Sequence, residues 1–182
     1  MSTSKLKFNE QKATQAVALL ILLSDGSRGY KALQKLIYTV ERESLVRWGT
    51  SLTSDTYASM DNGPILSTIL DLMRGRASGI GYWSKYIKEH GGFLTLNENP
   101  GTDSLTAAEE ALLKEIFEKI GHMPTKELVL ATHAYEEWED PHGSSKPIDV
   151  SEILKAGRRS PEEIEEIEEE NATLAFFKSL RG

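Results

Sequence analysis

Cysteine is absent from this chain of 182 residues. That excludes disulfides, a thiol nucleophile and thiolate metal sites, and it fits a reducing cytosol. Histidine is scarce, with only His90, His122, His133 and His142, and no HExxH pair stands among them. No serine sits in a GxSxG elbow. No glycine-rich loop follows a strand pattern. Gly75, Gly79 and Gly81 follow a predicted helix, which is the wrong context for a dinucleotide loop. Long apolar runs are missing too. The longest, Ala16 to Leu23, would span about 12 Å as a helix, far short of a bilayer. The opening stretch MSTSKLKFNEQK is polar and carries no apolar signal core. These absences predict a soluble, cytoplasmic protein with no membrane partner, no cofactor, no metal and no catalytic residues.

What is present is charge of one sign in one place. The net charge is −7, and residues 162–170, EEIEEIEEE, hold seven glutamates and no base. Removing these seven from the 28 acids leaves 21, equal to the 21 bases. A balanced body gives no strong footprint for nucleic acid. The one candidate phosphate-contacting patch is Arg74, Arg76, Lys85 and Lys88. For metal binding the best cluster is His133 with Glu136 and Glu137, joined by His142, although its plainer reading is a hydrogen-bonded structural histidine.

Periodicity predicts helices over residues 9–24 and 29–48, the second with Leu33, Leu36, Ile37 and Val40 in one stripe. Lys31, Gln34 and Lys35 would be its base-reading side chains if the first two helices formed a helix-turn-helix. Residues 52–60 read as a short strand or hairpin. Asn62-Gly63-Pro64 reads as a turn that launches a third helix at Pro64, a residue suited to the first helical position. Residues 75–81 read as a loop, and 82–89 as a short helix or packed segment. FLTLN, residues 93–97, reads as a strand that pairs with 52–60. Further helices are expected from Ser104 or Thr106 to Gly121, from Pro124 or Thr125 onward, from about Asp149 or Ser151 to Lys155, and from Pro161 to about Leu180. The fold class expected is mainly α: a single compact helical domain of six or seven helices with a small two- or three-stranded β element.

Three stretches go further than periodicity. They are ALQKLIYTVE (32–41), RWGTSLTSDTYASMDNGPILSTILDLM (47–73) and THAYEEWED (132–140). Together, over residues 12–158, they resemble the Panacea domain, the SocA-like antitoxin family. The matching residues are Leu33, Lys35, Leu36, Ile37 and Tyr38 on the second helix, then Trp48, Gly49 and Leu52, then Gly63, Pro64 and Ile65, then Thr132, His133 and Trp138. Met60 and Asn62 depart from the pattern, standing where the family favours aromatics, and the acidic C-terminal helix is longer and more charged than the family's pattern leads one to expect.

The resemblance implies an antitoxin domain over residues 1–158, with the acidic helix, 159–182, packed on it or extending from it. It implies a cognate toxin as partner, encoded next door and neutralised by direct contact, in a setting such as phage defence. A protease or chaperone is a further partner if the chain acts as an adaptor. The matching residues are expected to keep the fold. Toxin contact is expected on variable surface: Tyr82, Trp83 and Tyr86, or Glu162, Glu163, Glu165, Glu166 and Glu169 on the acidic helix. The rival readings are a DNA-binding regulator, a proteolytic or phage-associated accessory protein, and a metal-dependent enzyme on His133.

Overall fold

The computed structural model describes residues 6–76 and 81–181. Part of the loop expected at 75–81, residues 77–80, lies outside them. The chain folds into helices α1 (Glu10–Leu23), α2 (Tyr30–Trp48), α3 (Ser67–Met73), α4 (Gly81–Tyr86), α5 (Ala107–Ile116), α6 (Thr125–His133), α7 (Val150–Ala156) and α8 (Pro161–Ser179). A π-helical turn, Phe117–Gly121, extends α5. The strands are β1 (Ser27–Gly29), β2 (Tyr57–Met60), β3 (Gly63–Leu66), β4 (Ile87–His90), β5 (Phe93–Leu96) and β6 (Lys146–Ile148).

The mainly α expectation is therefore wrong. The molecule is mixed α and β, with two separate three-stranded antiparallel sheets ordered β1-β5-β4 and β3-β2-β6. The expected pairing of 52–60 with 93–97 is also wrong. Strand β2 pairs with β3 and β6, and β5 pairs with β1 and β4. All six strands are tripeptides or tetrapeptides, and SRG, IKEH and KPI offer no alternation for a period-two reading to detect.

Pro64 opens no helix. It lies in β3 opposite Ser59, after a hairpin closed by Asp61 and Asn62, with Gly63 at φ +95°. Strand β3 is an edge of its sheet, where a residue without an N–H is tolerated. Helix α3 starts three residues later and is capped from a distance. Asp55 accepts from the Thr68 and Ile69 amides, at 2.9 Å each.

Helix α2 is the axis of the core. Twelve of its nineteen residues are buried, and α1, α5, α6, α7 and β3 all pack on it. Its Glu41 is fully buried. The carboxyl accepts from Ser51, from Tyr57 Oη at 2.9 Å and from the Thr53 amide at 3.2 Å, which fixes the chain after α2. Burial raises its pKa, and these bonds oppose the rise.

Helix α8 packs against the C-terminal end of α2. Gly49 ends α2 at φ +69°, and a Cβ there would stand 2.8 Å from Ile167 of α8. Arg159 donates to the carbonyls of Val46 and Arg47 at 2.8 Å each, satisfying orphan acceptors of the α2 terminus. Ser160 and Glu163 form the capping box that starts α8.

Candidate functional site

The residues singled out by the resemblance fall into three groups around α2. The first surrounds the β2–β3 hairpin. Lys35, 2% exposed, points from α2 to the Pro64 carbonyl and donates to it at 2.8 Å. Among the described residues no acid pairs with this amine, and burial lowers its pKa from 10.5 to about 7. From α6, Thr132 and His133 close over Gly63. A Cβ on Gly63 would lie 2.8 Å from Thr132 Oγ1, 3.1 Å from Lys35 Nζ and 3.3 Å from His133 Cδ2. Only glycine suits this point, both for its φ and for the close approach.

His133 ends α6, and Trp138 comes from the turn after it rather than from the same helix. The two rings nevertheless stack, with centroids 3.9 Å apart and planes 9° apart. Trp138 Nε1 donates to the Met60 carbonyl at 3.0 Å, which pins the hairpin from the other side. His133 Nε2 is buried without a hydrogen-bond partner among the described residues.

The second group lies further along α2. Tyr38 donates to Glu137 at 3.1 Å, and Arg42 Nε meets the same oxygen at 2.8 Å. The Glu137 side chain is fully covered. Arg42 also lies over the Tyr135 ring, 4.4 Å from its centroid. Burial, followed by Glu137, raises the Tyr38 hydroxyl well above its ordinary pKa. This paired ion and its phenol tie α2 to the segment after α6. The third group is the end of α2, where Trp48 is 44% exposed and Gly49 abuts α8. Leu33 and Leu36 are core residues with no exposure.

The remaining candidates are scattered. Trp83 is 5% exposed and packs in the core, whereas Tyr82 and Tyr86 are half-buried with ring centroids 4.8 Å apart. Glu162, Glu165, Glu166 and Glu169 are exposed on α8, and Glu163 is held by Arg159. His133, Glu136, Glu137 and His142 do not converge. Glu136 pairs with Arg158, Glu137 with Arg42, and His142 lies by Asp140. Among the described residues no group of three or more histidines and acids is placed to hold a metal.

Lys31 is exposed at the start of α2, but Gln34 and Lys35 face inward. Gln34 is bound to the Leu66 backbone through both ends of its amide, so α2 does not present these side chains to a DNA groove. Arg74, Arg76, Lys85 and Lys88 are all exposed, on the α3 terminus, α4 and β4.

Two features escaped the sequence reading. One is a cleft of about 140 Å³ between the start of α2, the β2–β3 hairpin and residues 143–144. It is assembled from segments a hundred residues apart, and no local pattern announces it. The other is the end of α8, where Leu174, Phe176, Phe177 and Leu180 are 46 to 66% exposed. A signal was in the sequence: Leu174, Phe176, Phe177 and Leu180 do not keep to one i, i+3, i+4 stripe of the helix.

No helix among the described residues is long and apolar enough to cross a membrane. Neither the curated proteins nor the solved structures yield a match to the chain. A family model described as "Antitoxin SocA-like, Panacea domain" does match, over residues 33–139, from the middle of the first turns of α2 to the residue after the His133–Trp138 stack. That span is more than half of the chain and contains every residue of the three groups around α2, and the chain belongs to the SocA-like antitoxin family with a Panacea domain.

Proposed function

We propose that this protein is the antitoxin of a toxin–antitoxin pair and neutralises its toxin in the cytoplasm by direct protein–protein contact, without catalysis. Membership of the SocA-like family carries this reading. Most of the residues singled out by the resemblance serve the fold: they bury α2, close the hairpin and join α6 to it, while Trp48 stays 44% exposed. Partner recognition then falls to surface outside them. The body, residues 1–158, provides the scaffold, and residues 159–182 provide the contact surface.

Helix α8 supports that assignment in two ways. Its exposed glutamates form the one strongly charged segment of the chain. Its last turns expose Leu174, Phe176, Phe177 and Leu180. An acidic face for encounter followed by an apolar end for burial is a combination that suits a basic partner with an apolar groove.

The test is co-expression. The neighbouring gene is induced with and without this chain, and growth and co-purification are followed. Growth arrest relieved by this protein, with the two eluting together, is the expected result. Relief without co-elution would favour repression of the operon, and a harmless neighbour would favour a proteolytic adaptor; either result would displace neutralisation by contact.

A further inference from the structure

The cleft at the start of α2 is positive in a protein whose net charge is −7. Lys31, Lys35 and Arg74 line it, and Asp61 is the one acid on its wall. Asp61 is already engaged, accepting from the Gly143 amide at 2.8 Å. Among the described residues, none of the three bases forms an ion pair. Arg74 only lies over Tyr30, 5.7 Å from the ring centroid.

A buried amine with no counter-charge is costly, and an ammonium has three donors. Lys35 spends one of them on Pro64. The alternative cause of such a residue, a purely structural tie to the hairpin, explains that one bond. It does not explain why the same side chain lines an open cleft whose mouth carries two more bases.

Size narrows the ligand. A cleft of about 140 Å³ is below the roughly 300 Å³ at which drug-sized ligand pockets begin. A carboxylate on a short carbon stem fits it. The donors also narrow it. The Gln34 side-chain amide is bound to Leu66 and the Gly143 backbone amide to Asp61, so neither is free to hold a ligand. The walls between the bases are apolar, from Ile65, Leu70 and Met60. They suit the carbon stem of an acid.

We propose that this cleft binds a single carboxylate group, with Lys35 as its inner contact and Lys31 and Arg74 at its mouth. The carboxylate belongs to a free small acid, to the end of a polypeptide, or to an acidic side chain of a partner. The site requires no toxin and is independent of the acidic helix.

The test is an amide NMR titration of the full chain with acetate, at ionic strength held constant with chloride, and with acetamide as the neutral isostere. Saturable shifts confined to residues 30–35, 60–65 and 143–144 are expected with acetate only. K35M should weaken binding at least tenfold, and the double variant K31A/R74A, which changes two exposed residues, several-fold. If K35M does not fold, the double variant decides. Equal shifts with chloride or acetamide, or undiminished acetate binding in the double variant, would overturn the site. Parallel titrations with N-acetylglycine and with N-acetylglutamate α-amide separate a chain end from a side chain, and whichever binds more tightly than acetate identifies the source; acetate binding as well as either points to a free acid.

Discussion

Lys35 is the residue at which physical chemistry and family pattern meet most sharply. Its amine titrates near 7 in the folded chain and at its ordinary 10.5 when unfolded. Between those values the unfolded chain holds a proton that the native amine has released. Stability therefore rises with pH across that window, and the burial cost is full below about pH 7. Between pH 7 and pH 9.5 the wild type should gain roughly 3 kcal/mol relative to K35M, whose stability lacks this slope. Urea unfolding of both proteins at the two pH values measures it, and parallel slopes would show that Lys35 does not titrate as described. A second expectation concerns Gly63. Alanine there meets a φ of +95° and contacts at 2.8 and 3.1 Å, so G63A should lose roughly 2–4 kcal/mol. G143A, at φ +83° with nothing within 4 Å, should lose only about 1 kcal/mol, and the difference isolates the packing against Thr132 and Lys35. The family resemblance singled out Lys35, Gly63, Thr132 and His133 one by one. That they meet at a single point was not legible, because their meeting depends on a hairpin the periodicity concealed.

Elements with a cap of their own were the legible ones. Thr106 with Glu109, and Ser160 with Pro161 and Glu163, start helices where their local chemistry directs. Asn9 likewise caps α1 by accepting from Lys12. The failure was at Pro64. Ile65, Ile69, Leu72 and Met73 have helical spacing, but Ile65 belongs to the strand, and the cap of α3 is Asp55, twelve residues before the helix begins. A proline fits an edge strand as well as a first helical turn, and no local signal separates the two. Helix α8 depends on its neighbours differently. Its attachment is Ile164, Ile167, Ala175 and the Asn171 bond to the Gly49 carbonyl at 3.1 Å. Ending the chain at residue 159 should therefore leave the body folded and cost about 2–3 kcal/mol, since two half-buried isoleucines and one alanine are lost. Chemical denaturation measures that cost. If the same truncated chain kept its full affinity for the toxin, the proposed role of α8 would fail.

At the scale of the whole molecule the short strands defeated the mainly α expectation. None of β1 to β6 exceeds four residues, and four of the six, β1, β4, β5 and β6, flank turns that contain glycine or proline, so these look like loop until their partners are known. Pairing supplies what alternation does not. Helix α2, long and apolar on one face, was legible throughout, and both sheets are placed by packing against it. Charge is the property of the whole that bears on function. Outside residues 162–170 the chain carries equal numbers of acids and bases, so the net charge of the protein equals that of the seven glutamates of this segment of α8. The field of such a segment acts over about 8–10 Å at physiological ionic strength and influences encounter more than the docked complex. Replacing Glu165, Glu166, Glu168 and Glu169 with glutamine, four exposed positions outside the capping box, should slow association with the toxin by about tenfold at low salt and change dissociation little. The wild type should approach the variant as salt rises toward 0.5 M, because screening removes what the substitution removes. Replacing Phe176 and Phe177 with serine should do the reverse, accelerating dissociation with little effect on association. Stopped-flow binding across a salt series distinguishes the two. If both sets of substitutions altered the same rate constant, the division of α8 into a steering face and an anchoring end would be wrong.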